Sequence, residues 1–215
     1  MPFNLTALNV MLNALDESNT EITHVGIHSL TDPGTGTTSN GGEATGGSPA
    51  YARQAVVWGA AAAGQKANTG ALTFDVPAGT YAFFTYYNSA TLNVTAYRGY
   101  APFGGTVKGF ATVDAADVTA NSITSAGHGL VNTDRVMVFN VFAETLPAGL
   151  TEGTIYFVVG ATTDTLQVSL TSGGAAVDIT GIGEMFFQKV VPEVFGAQGQ
   201  ITVAVGALVL DATAM

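Results

Sequence analysis

Two short runs on either side of the turn Pro77-Ala78-Gly79 commit this chain to β structure. Ala71-Leu72-Thr73-Phe74-Asp75-Val76 reads as a strand. Tyr81-Ala82-Phe83-Phe84-Thr85-Tyr86-Tyr87 is the most aromatic segment and carries rings on both faces. Such a strand calls for cover on both sides, by the core on one and by a partner on the other. Upstream, Tyr51 to Trp58 reads as another strand. Tyr51, Arg53, Ala55 and Val57 would share one face, with Ala52, Gln54, Val56 and Trp58 on the other. Asn68-Thr69-Gly70 supplies a turn, and Thr91 to Tyr97 reads as one more strand.

The 215 residues suffice for one large or two small domains, each with a core of its own. Hydrophobic residues make up 47% and charged residues only 10%, with 27 glycines to serve tight turns. No apolar run approaches the roughly 20 residues of a spanning helix, and the N-terminus has no signal-peptide pattern, so a soluble chain is expected. Cysteine is absent, which removes disulfides, thiolate metal sites and cysteine nucleophiles and suits a reducing cytoplasm. The formal charge is −10, without any cluster of Lys and Arg, so phosphate backbones would repel the chain and nucleic acid is excluded as a partner.

Leu5, Leu8, Leu12 and Leu15 recur at helical spacing, with Asn4 as a cap, and predict a short N-terminal helix packed on its own sheet or docked on a neighbouring subunit. Glu21 to Leu30 alternates as a strand with Ile22, His24, Gly26 and His28 on one face. His24 and His28 would stand about 13 Å apart at strand rise, too far to share a metal ion, and are expected on a half-exposed or interface face. Asp32 to Gly47 is a polar loop in which Glu43 is the only charge after Asp32.

The run Gly46-Gly47-Ser48-Pro49-Ala50-Tyr51-Ala52-Arg53, the Trp58 strand, the Asn68 turn and the strand ending in Val76-Pro77 resemble a family of small β-rich structural proteins of tailed bacteriophages, found among minor tail and virion-surface proteins. The pattern resumes at Pro192, where Gly196-Ala197-Gln198-Gly199 stands in place of a Gly-Gln-Gly turn and is one residue longer. The resemblance implies a discontinuous β-sandwich domain, residues 1–105 plus 192–215, closed by a C-terminal hairpin of Gln200 to Val205 and Leu208 to Asp211. Residues 106–191 would be an inserted β domain. Its candidate strands are Arg135 to Phe142, Thr154 to Val159, Thr165 to Leu170, Ala176 to Ile179 and Met185 to Val190. Gly149 to Val159 and Leu166 to Leu170 are similar to a small decorating module of phage tail and fibre proteins. The expected fold is all-β: an antiparallel β-sandwich with a short N-terminal helix and an inserted β-meander or barrel-like domain.

Chemistry is sparse. Zinc-helix, nucleophile-elbow and EF-hand patterns are missing, and Asp114 and Asp117 have no further acidic neighbour at calcium-loop spacing. His128 is expected in a turn, and no residue is singled out as catalytic, cofactor-binding or metal-binding. The resemblance therefore implies a non-enzymatic structural protein of a phage particle, a minor tail protein or capsid decoration protein made in the host cytoplasm. It would act by subunit packing against capsid or tail proteins and as a homo-oligomer, a trimer by family analogy. Two other readings stand beside it: a tail module for host-surface glycans, and a cell-wall-degrading enzyme. Tyr81, Phe83, Tyr86, Tyr87, His24 and His28 are the candidate interface or glycan contacts.

Overall fold

The computed structural model describes residues 22–34, 41–91, 96–104, 107–141 and 145–211. The chain divides into two compact units, Met1–Ala101 with Glu193–Met215, and Pro102–Pro192. In chain order the first strands are β1 (His24–Ser29), β2 (Gln54–Ala55), β3 (Gln65–Ala67), β4 (Leu72–Val76), β5 (Gly79–Tyr87) and β6 (Tyr97–Pro102). The second unit then contributes β7 (Lys108–Val113), helix α1 (Ala115–Ala120), β8 (Ile123–Thr124), β9 (Arg135–Asn140), β10 (Ile155–Val159), β11 (Thr165–Ser169) and β12 (Gly183–Val190). The chain closes with β13 (Glu193–Phe195), β14 (Gly199–Val203) and β15 (Val209–Asp211). The protein is all-β with antiparallel sheets, and α1 is the one helix among the described residues. That helix is too short to cross a membrane. The expected N-terminal helix, Leu5 to Leu15, and most of the expected Thr91–Tyr97 strand lie outside the described residues.

The main sheet of the first unit runs β13-β5-β1-β2, with β6 also paired to β5. Strands β1 and β5 form its centre, and their pairing matches Val25 with Tyr86 and Ile27 with Phe84. Val25, Ile27, Ala82 and Phe83 are fully buried, as suits central strands covered on both faces. Strand β4 turns Leu72, Phe74 and Val76 inward, while Thr73 between them is exposed. The Tyr51–Trp58 run departs from its expected strand. Only Gln54 and Ala55 pair with β1, and Trp58 makes an isolated bridge to Asn68. Of its polar side chains, Arg53 is drawn into the interior.

The C-terminal segment returns to this unit without forming the expected hairpin. Strand β14 pairs with β4, and β15 pairs separately with β3. Asn68, 2% exposed, holds the turn between them. Its Nδ2 donates to the carbonyls of Gly70 and Ala204 at 2.7 and 3.0 Å, and its Oδ1 accepts from the Leu208 amide at 2.9 Å. Its backbone adds bonds to Leu208 and Gly206.

The second unit is a closed barrel of order β10-β11-β8-β7-β12-β9. Alternate residues fill the interior: Ala111 and Val113 from β7, Val136 and Val138 from β9, Tyr156 and Val158 from β10, Leu166 and Val168 from β11, Met185 and Phe187 from β12. Strands β7 and β8 and helix α1 were not anticipated, because Gly109 and Ala111 blur the alternation of β7. The expected strand Ala176–Ile179 joins no ladder. Its amides bond singly, Val177 to the Val168 carbonyl at 2.7 Å and Ile179 to Asn121 Oδ1 at 2.8 Å. Asp114 and Asp117 form a capping box on α1: Asp114 Oδ1 accepts from the Asp117 amide at 3.0 Å, and Asp117 Oδ2 accepts from the Asp114 amide at 3.2 Å.

Replacing the Asn68 hub should loosen the C-terminal strands first. Asn68→Ala leaves the buried Leu208 amide without its acceptor and is expected to cost about 2–4 kcal/mol in denaturant unfolding. In hydrogen exchange the amides of β15 should lose protection before those of β5; unchanged protection at Val209–Asp211 would rule out the hub.

Candidate functional site

A buried polar cluster of the first unit grows out of the Gly46–Arg53 run. Gly47 takes φ +90°, a conformation that L side chains rarely adopt, and the Ser48–Pro49 peptide is cis. Gln198, from the C-terminal segment, locks this turn: Ser48 N–H donates to its Oε1 at 3.0 Å, and its Nε2 donates to the Pro49 carbonyl at 2.9 Å. Two stretches about 150 residues apart in sequence are thereby bonded to each other.

Beyond the turn, Arg53 meets Glu43 in a two-pronged ion pair. Nε donates to Oε1 and the second terminal nitrogen to Oε2, both at 2.7 Å, and both side chains are buried. The remaining terminal nitrogen donates to the carbonyls of Ser89 and Thr91 at 3.1 and 2.7 Å. The guanidinium stacks on the Tyr87 ring, 3.3 Å from its centroid. Glu43 also accepts from Tyr51 Oη at 3.1 Å and from Tyr87 Oη at 3.0 Å. Tyr51 Oη in turn accepts from the Ile27 amide at 2.8 Å. Each carboxylate oxygen therefore accepts two hydrogen bonds, which leaves little capacity for a substrate.

The cluster fits because Gly26 lies beneath it. A Cβ there would stand 2.8 Å from Glu43 Oε1 and 2.9 Å from both Tyr51 Oη and Thr85 Oγ1. Burial works against the charge on Arg53, but the hydrogen bonds and negative charge of Glu43 outweigh it and raise its pKa. Burial, reinforced by the Glu43 charge, pushes the Tyr51 phenol far above its ordinary range.

The six candidate contacts named from the sequence lie on β1 and β5. Tyr81, Phe83, Tyr86 and Tyr87 are all buried. Tyr81 donates to the Pro77 carbonyl at 3.2 Å, Phe83 packs edge-on against Tyr100 at 5.5 Å, and Tyr87 serves Glu43 and Arg53. His28 is fully buried and meets the Phe83 ring at 6.5 Å. His24 is half-buried; burial, then the Arg53 charge, lower its pKa. These rings are engaged inside their own chain. Sequence reading did not supply Glu43 as a partner, and its signal was a lone carboxylate in a neutral loop ten residues before an arginine.

In the barrel, His128 is also committed to structure. Its Nδ1 accepts from the Leu130 amide at 3.0 Å, which leaves the proton on Nε2 to bond the Thr165 carbonyl at 3.2 Å. An open groove of about 580 Å³ is lined by residues that include Asp114, Thr145, Ile182 and Glu184. No group of three or more His, Cys, Asp or Glu side chains able to hold a metal ion occurs among the described residues. Compared with protein-family models, curated proteins and solved structures, the chain gives no match.

Two outcomes follow for this cluster. Glu43→Gln strands a buried guanidinium and should destabilise the first unit by about 3–5 kcal/mol, while the double variant Glu43→Gln/Arg53→Met should be milder. Chemical denaturation of both variants decides it; equal losses would mean that packing, not charge, governs the site. Alkaline pH supplies the second check. Burial raises the pKa of Tyr51, Tyr86 and Tyr97 above the ordinary value of 10.0, so the folded chain keeps protons that the unfolded chain releases. Stability is then intact below pH ~10 and falls as pH rises further. Tyrosinate absorbance at 295 nm from these residues should appear together with loss of near-ultraviolet circular dichroism, rather than before it.

Proposed function

We propose that the protein is a non-enzymatic structural component of a tailed bacteriophage particle, a minor tail or capsid decoration protein that works by packing against other virion proteins. The observation that carries this reading is the use made of the run that resembles the phage family. Tyr51 and Arg53 are spent on Glu43, and the Gly46–Pro49 turn is spent on Gln198, the residue of the second resembling stretch. Both stretches act as scaffold, holding loops to a sheet, and neither presents an open catalytic group. A β scaffold with its polar residues turned inward suits a protein whose work is to be a rigid part among other parts.

The test is the position and copy number of a tagged chain in purified particles, read by gold labelling and quantitative mass spectrometry. Dense label over the head would identify a decoration protein, and a few copies confined to the tail would identify a minor tail protein. Absence from the particle would overturn the proposal.

A further inference from the structure

In the first unit β4 and β14 pair without a break from Val76–Gly199 to Leu72–Val203. Strand β3 pairs with β15 just beyond, and the far side of that stretch is taken: Gly59 N–H donates to the Ala67 carbonyl and Thr69 N–H to the Val57 carbonyl, each at 2.8 Å. The C-terminal strands are therefore the rim. Among the described residues no strand pairs with β14 on its other edge. The side-chain hydrogen bond that β14 makes there is from Gln200 Nε2 to Asp75 Oδ1, at 2.8 Å. Gln200 and Thr202 are exposed on one face of the strand, while Ile201 and Val203 turn into the core on the other.

Such edges are commonly blunted by a lysine, a proline, a bulge or an inward-pointing charge. Gly199-Gln200-Ile201-Thr202-Val203 has none of these. We propose that this edge takes β14 of a second copy, antiparallel, about a two-fold axis at Ile201. The axis stands perpendicular to the sheet, so each residue keeps its own face in both copies. Ile201 meets Ile201 of the other copy, Gly199 meets Val203, and Gln200 meets Thr202. A centre at Ile201, the middle of the strand, pairs its whole length, and the two ladders become one sheet ordered β4-β14-β14-β4. Gln200 gives its Nε2 to Asp75 and keeps Oε1, which accepts from the Thr202 hydroxyl of the other copy.

Charge and pattern both favour this occupant. Two chains of net charge −10 repel in most orientations, whereas β14 is uncharged and brings no like charges directly opposite each other. A strand with one buried and one exposed face needs a partner of matching alternation, because a slip of one residue turns the partner's faces over. Its own copy supplies that match by symmetry. The contact is small, on the order of a few hundred Å², against the ~800 Å² per partner of a standard stable interface. The dimer is therefore weak and concentration-dependent. The inference stands apart from the virion assignment, since self-association in solution neither requires nor excludes a place in a particle.

Sedimentation velocity of the full chain over a concentration series should show a reversible monomer–dimer equilibrium. Gln200→Lys/Thr202→Lys sets two pairs of like charges directly opposite and should weaken it about tenfold, with circular dichroism confirming the fold. Register is read by disulfide trapping, since the chain has no cysteine of its own. A mixture of Gln200→Cys and Thr202→Cys chains brings the two Cβ atoms ~5 Å apart across one rung, whereas either variant alone holds them about 7–8 Å apart on the diagonal. With oxidised glutathione as oxidant, the mixture should form linked dimers about tenfold faster than either variant alone. A chain that stays monomeric at millimolar concentration, leaving the edge to a strand of another protein, would overturn the proposal. So would association as a trimer, undiminished association of the double lysine variant, or trapping no faster in the mixture.

Discussion

The ion pair between Arg53 and Glu43 is the constraint on which the first unit rests. Removing both charges from water is costly, and their attraction offsets that cost only when the remaining donors and acceptors are also satisfied. Here they are: Tyr51, Tyr87 and the carbonyls of Ser89 and Thr91 complete the set. The same bonds draw three separate pieces of chain onto the β1–β5 pair. They also fix its register, because the carboxylate approaches the sheet over Gly26, where no side chain intervenes. A slip of one residue would put Val25 or Ile27 under the cluster and turn the rest of the strand inside out.

The two units reach stability by different means. The first leaves sheet segments that must be tied together, and it ties them with side chains: Arg53 to Glu43, Gln198 to the Ser48–Pro49 turn, Asn68 to the last strands. The second closes its sheet on itself, so its strands pair around the ring and its interior is filled mainly by apolar alternates. Among its polar side chains, Asp117 completes the capping box of α1 and accepts from Ser122 Oγ at 2.6 Å.

The all-β character was legible because β4 and β5 carry their environment in their own pattern: alternation in one, aromatic rings on both faces in the other. The barrel strands β9 to β12 were legible within a residue or two for the same reason. What the sequence could not disclose was partnership. Val205-Gly206-Ala207 does mark a turn, and local pattern makes the flanking strands look like a hairpin, yet each finds a different partner through Asn68. Tyr51 to Trp58 alternates as a strand should, but Arg53 and Tyr51 answer to a carboxylate outside any local window. The candidate rings on β5 were expected to take cover from the core on one face and from a partner on the other, whereas within the single chain they are already buried.

Both stretches of chain that join the units, β6 going out and β13 coming back, pair with the single strand β5. Within the barrel unit, the start and end of the chain are themselves bonded, Val191 to Phe103 at 3.0 Å and Lys189 to Val107 at 2.8 Å. A folded barrel thus behaves as a staple across a detour of about 90 residues. By loop-closure scaling, drawing the ends of so long a detour together costs roughly 2–3 kcal/mol more than closing a tight turn. A barrel that forms first would remove most of that search.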